Sequence, residues 1–421
     1  MKNRWLIAAG AVGIHISIGS VYAWSVVTKP MMATFGWSLK SVTLTFTIAI
    51  VFLGLSAAFL GHFVEKKGPR AAGSLAAFLF GFGVAGAGLA LRFESLWGLY
   101  LAYGVLGGMG LGCGYITPVS TLIKWFPDKR GLATGMAIMG FGFAAFISSF
   151  IMKKLMTIPS LGLEGMFYIL GAVYFTVMLL SAQYLQAPPK GWMPTGFKAK
   201  IDSGAKVIKT DLAQLTANEA VKTLRFYFLW SMLFINITCG IAVISVASPM
   251  AQEIAGLSVT SAAAMVAFMG LFNGLGRIGW SAVSDHLGRP AVWVTFFVTQ
   301  IAAFFILPKV TEAFLFQAVI FLILTCYGGG FASVPAYISD IFGTKQVSAI
   351  HGYILTAWAA AGIVGPMLVA WVRETTNSYV GTLYIFGCFF IAVLIISLLM
   401  IANIKKHRIA GLVVAENIEA A

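Results

Sequence analysis

The stretch MVAFMGLFNGLGRIGW, residues 265–280, decides how this chain must fold. It is apolar apart from Asn273 and Arg277, and the apolar character continues until Asp285. A helix rises about 1.5 Å per residue, so the spacing from Arg277 to Asp285 puts the guanidinium about 12 Å inside a hydrocarbon layer about 30 Å thick. The stretch therefore predicts a membrane-spanning helix with a positive charge near its middle.

Arg277 needs a partner, because a charge at this depth costs at least about 2.5 kcal/mol. No Asp or Glu lies in the apolar part of any predicted span. Backbone carbonyls could satisfy the charge, or the side chain could extend to the membrane surface. Since charges inside membranes usually serve function, we expect Arg277 to bind an anion that crosses the membrane.

The composition also indicates a membrane protein. The 421 residues are 59% hydrophobic and 10% charged, whereas about 25% of the residues in a soluble protein are charged. The net charge of +14 is spread over short loops and does not indicate nucleic-acid binding. Four cysteines lie in apolar segments without metal-site spacing, and we expect them to be buried apolar residues: Cys113, Cys239, Cys326 and Cys388. No metal or cofactor is expected.

Twelve apolar segments are long enough to cross a membrane as helices. Their approximate bounds are 5–27, 41–63, 71–91, 96–122, 131–152, 164–186, 226–249, 259–283, 290–308, 313–338, 347–371 and 379–403. The long polar stretch 187–225 separates the sixth from the seventh. We predict an all-α membrane protein of twelve transmembrane helices in two six-helix bundles, residues 1–186 and 226–421, joined by a cytoplasmic linker. The second bundle ends in a cytoplasmic tail.

The distribution of Lys and Arg predicts the orientation in the bilayer. If both termini and the linker are cytoplasmic, that side carries 20 of the 28 basic residues and the other side 7, with Arg277 between them. An excess of Lys and Arg marks the cytoplasmic side of membrane proteins. We therefore expect a multi-pass protein of the cell inner membrane with both termini cytoplasmic.

Short motifs recur in the two halves. Residues 61–70 (GHFVEKKGPR) match residues 281–290 (SAVSDHLGRP), and residues 125–131 (WFPDKRG) are similar to residues 341–345 (IFGTK). Repeated six-span halves are typical of transporters that bind substrate at the midplane. Solvated turns are the alternative interpretation of these motifs, but their recurrence favours ion pairs that close the cytoplasmic side. The predicted gating residues are Glu65, Arg70, Asp285 and Arg289.

Several other side chains lie at the predicted depth of Arg277. Tyr115 and Tyr327 could each offer a hydroxyl to a carboxylate, and Asn273, one turn before Arg277, could donate to a second substrate oxygen. Arg277 would hold the carboxylate through two hydrogen bonds. The predicted substrate-binding residues are Arg277, Asn273, Tyr115, Tyr327, Trp358 and Asn236. Tyr22, nearer the outer third, is predicted to gate that side.

His15 is the midspan residue expected to titrate near neutral pH. It either carries a proton or is a neutral histidine packed between helices. If His15 is not the carrier, the substrate could cross as the protonated acid. His351, at the start of the eleventh span, is expected to be interfacial.

The motifs resemble those of the major facilitator superfamily, and within it the oxalate/formate antiporter and monocarboxylate transporter relatives. The resemblance is carried by residues 61–70, 125–131, 271–277 with 283–285, and 339–343, and it points to prokaryotic transporters of the lactate-carrying kind. The oxalate carriers have a lysine in the eleventh span where this chain has Trp358, so a single fixed cation favours a monoanion. Proton-coupled relatives have an aspartate where this chain has Asn273, so any proton site lies elsewhere.

The sequence thus predicts a secondary transporter of small monocarboxylates such as L-lactate, working by alternating access as a monomer. We expect proton symport. Anion exchange of the oxalate/formate type is an alternative, as is a transporter-like sensor that signals through the linker. An enzyme is not expected, because no midspan nucleophile with a base, metal cluster or phosphate loop is present.

Overall fold

The computed structural model describes residues 3–189, 191–195, 197 and 211–419, which form helices and loops without β-strands. The helices of the first half are α1 Arg4–Ile18, α2 Ser25–Phe35, α3 Leu39–Arg92, α4 Leu96–Leu99, α5 Gly108–Trp125, α6 Arg130–Met156 and α7 Gly162–Tyr184. Those that follow are α8 Ala217–Ala220, α9 Leu224–Ala255, α10 Val259–Leu287, α11 Arg289–Ile306, α12 Ala313–Phe342, α13 Val347–Ile354, α14 Thr356–Thr376 and α15 Val380–Glu419.

The described residues contain 11 helical segments that are long and apolar enough to cross a membrane. One of them, the 54-residue α3, contains two spans because it bends at Gly68, where φ is +81°. Glycine adopts a positive φ at little cost, and Pro69 suits the first turn of the helix that follows. The prediction of twelve spans is therefore confirmed.

Three spans depart from a regular α-helix. A 3₁₀ segment, Gly19–Ala23, joins α1 to α2, and a π-helical segment, Tyr100–Gly107, joins α4 to α5. The eleventh span is divided between α13 and α14. A Cβ on Gly19 would lie 2.7 Å from the Cα of Phe141, so this glycine allows the first span to approach α6 closely. The close approach brings Tyr22 beside α6.

The spans form two six-helix bundles that meet along two seams. Within the first bundle α3 packs on α5 and α7, and within the second α10 packs on α12 and α11 on α15. Between the bundles α6 packs against α10, and α3 packs against α13 and α14. Glycines permit the close contact: a Cβ on Gly61 would lie 2.6 Å from the Cα of Ala349, and one on Gly142 would lie 2.8 Å from the Cα of Gly274.

Part of the predicted linker docks against the end of α12. The backbone N–H of Leu212 donates to the Asp340 carbonyl at 2.9 Å, and that of Leu215 donates to the Phe342 carbonyl at 2.8 Å. A capping box starts α8, and hydrogen bonds from the backbone and hydroxyl of Thr216 hold the pKa of Glu219 below its ordinary value. We call this end of the molecule, marked by residues 211–220, the linker side.

Some expectations fall on residues outside the described ranges. They include Lys2 and the basic residues at positions 190 and 198–209 of the linker. The domain boundaries at residues 186 and 226 stay predictions.

The cysteines correct one expectation. Three of them are buried, but Cys388 on α15 is exposed. The outer surface of a membrane helix faces hydrocarbon, so an apolar residue there gains nothing from burial within the protein. Sequence polarity therefore does not separate the buried face of such a helix from its lipid-facing one.

Candidate substrate-binding site

Arg277 lies on α10 and is completely buried. Its Nε donates to the Asn273 Oδ1 at 3.2 Å, and its Nη1 donates to the Ile138 carbonyl on α6 at 3.4 Å. Nη2 has no hydrogen-bond partner, and no ion pair to Arg277 occurs among the described residues. One backbone carbonyl thus accepts a hydrogen bond from the guanidinium, as expected if backbone carbonyls satisfy part of its charge. The side chain does not extend to the surface.

Two phenyl rings flank the guanidinium. Its central carbon lies 5.5 Å from the ring centroid of Phe141 on α6 and 5.2 Å from that of Phe331 on α12. A cation over an aromatic face gains about 0.5–2 kcal/mol, more when water is excluded. The rings stabilise the cation but provide no negative charge, so Arg277 retains its capacity for an anion.

More aromatic side chains from both bundles surround Phe141 and Phe331. Trp358 on α14 lies 4.6 Å from Phe331 and 5.7 Å from Phe141, measured between ring centroids. Tyr115 on α5 lies 5.4 Å from Trp358, and Tyr22 lies 5.1 Å from Phe141. Tyr22 therefore joins the ring cluster around Arg277, deeper than an outer gate alone would require.

Three phenol groups lie around Arg277, close enough to interact with its charge: Tyr22, Tyr115 and Tyr327. The hydroxyl of Tyr115 is buried without a hydrogen-bond partner among the described residues. Those of Tyr22 and Tyr327 are near enough to interact with each other, but neither bonds to any other described group. The indole N–H of Trp358 is also unmatched. A buried polar group without a partner costs about 1–3 kcal/mol. Several such donors beside one cation form a region suited to a small anion.

Asn236 has a different environment from the other predicted pocket residues. It is buried, its amide nitrogen donates to the Tyr327 carbonyl at 3.4 Å, and its Oδ1 accepts from Gln300 Nε2 at 3.0 Å. These contacts join α9, α11 and α12. The side chain is thereby engaged in helix packing behind Tyr327.

His351 corrects the expectation of an interfacial residue. It is only 1% exposed, and its ring lies 5.9 Å from Tyr115. His15 is completely buried, and its ring lies 5.3 Å from the same Tyr115 ring. Counting from the start of α13 placed His351 near the membrane surface, but the packing of α13 against α3 and α5 covers this end of the helix.

On the linker side, two carboxylates meet helix N-termini across the seams. Asp285 on α10 accepts from the backbone N–H groups of Gly131 and Leu132, each at 2.8 Å, at the start of α6. Glu65 on α3 accepts from the Ser348 N–H at 2.9 Å, at the start of α13, and forms an ion pair with Lys124 at 2.8 Å. A carboxylate stabilises the positive end of a helix dipole. The contact is thus repeated in the two halves.

An ionic network reinforces the α6 seam. Arg289 bonds to Asp285 at 2.6 Å and to Asp340 at 3.1 Å, and it also donates to Ser284. Arg130 bonds to Asp340 at 3.2 Å and to Asp211 of the linker at 2.5 Å. The network connects both bundles and the linker. Arg70, the remaining predicted gating residue, is exposed, and no ion pair is recorded for it in the described part of the chain.

The sequence did not single out Phe141, Phe331, Asp211 or Asp340. Phenylalanines are common in apolar spans, and only the fold brings two of them to one guanidinium. Phe331 carried a weak signal, because it follows Tyr327 by one helical turn and shares its face. Asp340 lies in the motif at residues 339–343, but that motif does not reveal its partners, which come from α6 and α11.

The chain belongs to the major facilitator superfamily. The family model matches residues 10–366 and 229–413, which together span most of the chain. Members of this family are transporters, so the protein is a multi-pass membrane transporter rather than an enzyme.

Relatives in sequence include carriers of small anions. An uncharacterized MFS-type transporter of Escherichia coli K12, YhjX, is 27% identical over 363 residues, 86% of each chain. The oxalate:formate antiporter of Oxalobacter formigenes is 28% identical and covers 87% of this chain and 84% of its own. The mouse monocarboxylate transporter 14 is 22% identical over 91% of this chain and 87% of its own.

Solved structures support the same fold. The E. coli fucose:proton symporter has a TM-score of 0.71 at 12% identity and covers 95% of this chain and 99% of its own. A proton:xylose symporter has a TM-score of 0.72 at 14% identity and covers 93% of this chain and 94% of its own. At such identities the likeness concerns architecture and not substrate.

Proposed function

We propose that this transporter carries a small monocarboxylate such as L-lactate, held by Arg277, together with a proton. The observation that carries the proposal is a buried guanidinium without a carboxylate partner, located where the two bundles meet. Arg277 and Tyr327 belong to the second bundle, while Tyr22 and Tyr115 belong to the first. A ligand bound among them contacts both bundles, which is what alternating access between two bundles requires.

The charge and the composition of the site favour a monoanion. A guanidinium can hold one carboxylate through two parallel hydrogen bonds. The surrounding rings offer apolar surface for a short carbon chain, and unmatched hydroxyls can bind further oxygens. A dianion would leave its second carboxylate against Trp358 and phenyl rings, where a compensating cation is lacking among the described residues. Tyr327, Tyr115 and Asn273 are the polar residues we assign to the substrate.

Anion exchange is the second candidate. The relative named as an oxalate:formate antiporter favours it, as does Asn273 in place of an acid beside Arg277. In an exchanger, the return step would need an internal anion to occupy Arg277. In a symporter, it would need the loss of a proton.

We also propose that the carboxylate contacts at α6 and α13 form a gate. They join the two bundles on the linker side, and their loss would accompany opening toward that side. The bias of basic residues supports a cytoplasmic location for the linker side and both termini, in the inner membrane. We propose a monomer as the working unit.

Uptake of labelled L-lactate into proteoliposomes tests the function. We expect accumulation when the outside is made acidic, collapse of accumulation when an uncoupler is added, and competition by other short monocarboxylates. Stimulation by internal anion without dependence on the pH gradient would support exchange instead. Absence of uptake and of counterflow for lactate, formate and oxalate would reject both candidates.

A further inference from the structure

Two buried histidines, one from each bundle, lie against Tyr115. His15 lies on α1 and His351 on α13, with ring centroids 5.3 Å and 5.9 Å from that of Tyr115. Both are at most 1% exposed. The pair therefore lies at the contact between the two bundles, beside the residues assigned to the substrate.

The ring nitrogens of this pair have free capacity for a proton. His15 Nδ1 lies 3.1 Å from the Ala11 carbonyl, which can only accept, so Nδ1 carries the hydrogen of the neutral ring. Nε2 then holds a lone pair, and it has no partner among the described residues. Both nitrogens of His351 are likewise unmatched. A histidine that served packing alone would normally use these groups, since leaving them unpaired is costly.

Few charged groups face this pair in the described part of the chain. Tyr115 on α5 contacts both rings, and Arg277 on α10 acts on His15. Toward the linker side, α3 presents His62 and Glu65 to α13. His62 is bonded to Tyr353, and Glu65 is bonded to the N–H of Ser348. Arg277 is close enough to His15 to act on it electrostatically, as His15 is to His351.

We propose that His15 and His351 form the proton-binding site of the transporter and that Arg277 couples it to the substrate. A second positive charge beside a free Arg277 is unfavourable in a region that excludes water. A carboxylate bound to Arg277 cancels that repulsion, so anion and proton favour each other's binding. By linkage this coupling is equal in both directions.

The transport step follows from the location of the pair on two bundles. A hydronium ion in the water on the open side transfers its proton to the lone pair of a ring nitrogen: its O–H bond breaks, an N–H bond forms, and the products are water and an imidazolium. Opening on the linker side parts α1 from α13 and admits water, and the same nitrogen releases the proton there. The inference rests on the proposed function and identifies the chain's own proton carrier, which the substitution of Asn273 for an acid left open.

Substitution of His351 separates coupling from transport. In proteoliposomes at saturating lactate, His351→Gln should retain lactate counterflow within about twofold, but lactate accumulation driven by a pH gradient should fall about tenfold, because the coupling charge is lost. His15→Gln should behave in the same way and serves as the second variant if His351→Gln is not monodisperse in gel filtration. His407→Gln is the matched control, because His407 is exposed and bonds to the Asn403 carbonyl of its own helix.

Proton uptake on binding gives a second reading. Wild-type protein in weak buffer with a pH indicator should take up protons when L-lactate is added, and the double variant H15Q/H351Q should not. If a folded variant has lost counterflow, proton uptake on lactate binding tests the histidine pair instead. Proton uptake that is retained in the double variant overturns the inference.

The inference and the proposed function can fail separately. Coupled accumulation that persists in both single variants and in the double variant would overturn the histidine pair while leaving monocarboxylate transport intact. A wild-type protein that moves no monocarboxylate would remove the proposed function and this inference with it.

Discussion

The linker side and the region around Arg277 both contain polar side chains, but they differ in how many of those side chains find hydrogen-bond partners within the protein. On the linker side Asp285 and Glu65 accept hydrogen bonds from helix N-termini and bond to basic side chains. Around Arg277 the hydroxyl of Tyr115 and the indole N–H of Trp358 have no partner in the described residues. Groups that the protein satisfies itself hold a conformation. Groups that it leaves unsatisfied are available to a ligand.

The comparison also separates two kinds of mutational effect. Loss of a contact on the linker side should change the balance between conformations, and therefore transport rates. Loss of a group beside Arg277 should change the affinity for substrate. The four predictions below test this division, from the largest expected effect to the smallest.

The first substitution is Arg277→Lys. It keeps the charge but removes the planar pair of donors and the stacking between Phe141 and Phe331. We expect lactate uptake to fall by about a hundredfold, equivalent to about 2.7 kcal/mol. Initial rates in proteoliposomes measure the effect, with Arg92→Lys as control because Arg92 is exposed at the end of α3. Near-normal rates for Arg277→Lys would mean that charge alone suffices.

The second pair of substitutions, Tyr115→Phe and Tyr327→Phe, removes one hydroxyl each. A hydrogen bond to a charged ligand is worth about 1.5–3 kcal/mol, so the Kd for lactate should rise at least about tenfold. Transport at saturating substrate should change little. Titration by tryptophan fluorescence measures the Kd, and Tyr227→Phe, at an exposed tyrosine on α9, is the control. An unchanged Kd would exclude that hydroxyl from the site.

The third substitution is Asp285→Asn on the linker side. The amide loses the charge-assisted bonds to the start of α6 and to Arg289, which destabilises the closed arrangement. We expect initial transport rates about fivefold lower with expression preserved and the Kd for lactate within about twofold. Glu374→Gln, at an exposed acid on α14, is the control. A large change in Kd with normal rates would contradict the division.

The fourth substitution is Asp211→Asn in the linker. Arg130 keeps its bond to Asp340, so we expect only about a twofold change in transport rate, in keeping with partly exposed ion pairs. The measurement is the rate of cysteine labelling on the linker side at Ala349→Cys, where α13 meets α3. Faster labelling of D211N is expected. Equal labelling would show that the linker does not help to close this side.

Much of the fold could be predicted from the sequence. The lengths of the apolar segments predict the spans, because the thickness of a bilayer sets the length of a crossing helix. The polar stretch at 187–225 predicts the division into two halves. Arg277 and Asn273 could be identified because polar residues inside a span are rare and each must be explained. The repeated motifs likewise indicated Asp285 and Glu65 before their partners were known.

The rest depended on which helices meet. Phe141, Phe331 and His351 were missed, because rotation of a helix about its axis decides whether a ring faces lipid, a neighbour or the site. Asn236 was expected in the pocket from its depth, but depth does not fix that rotation, and its amide is engaged by Gln300. Arg70 shows the same limit on the linker side: it is exposed, whereas Arg289, one residue out of register with it in the matching motif of the second half, is almost fully buried.

Binding of L-lactate to purified protein tests the central claim most directly. Wild-type protein should bind L-lactate and not lactamide, its neutral amide, in isothermal titration calorimetry, because the guanidinium requires a carboxylate. Arg277→Ala should bind neither, while remaining monodisperse in gel filtration. Wild-type affinity for lactate in Arg277→Ala would contradict the account.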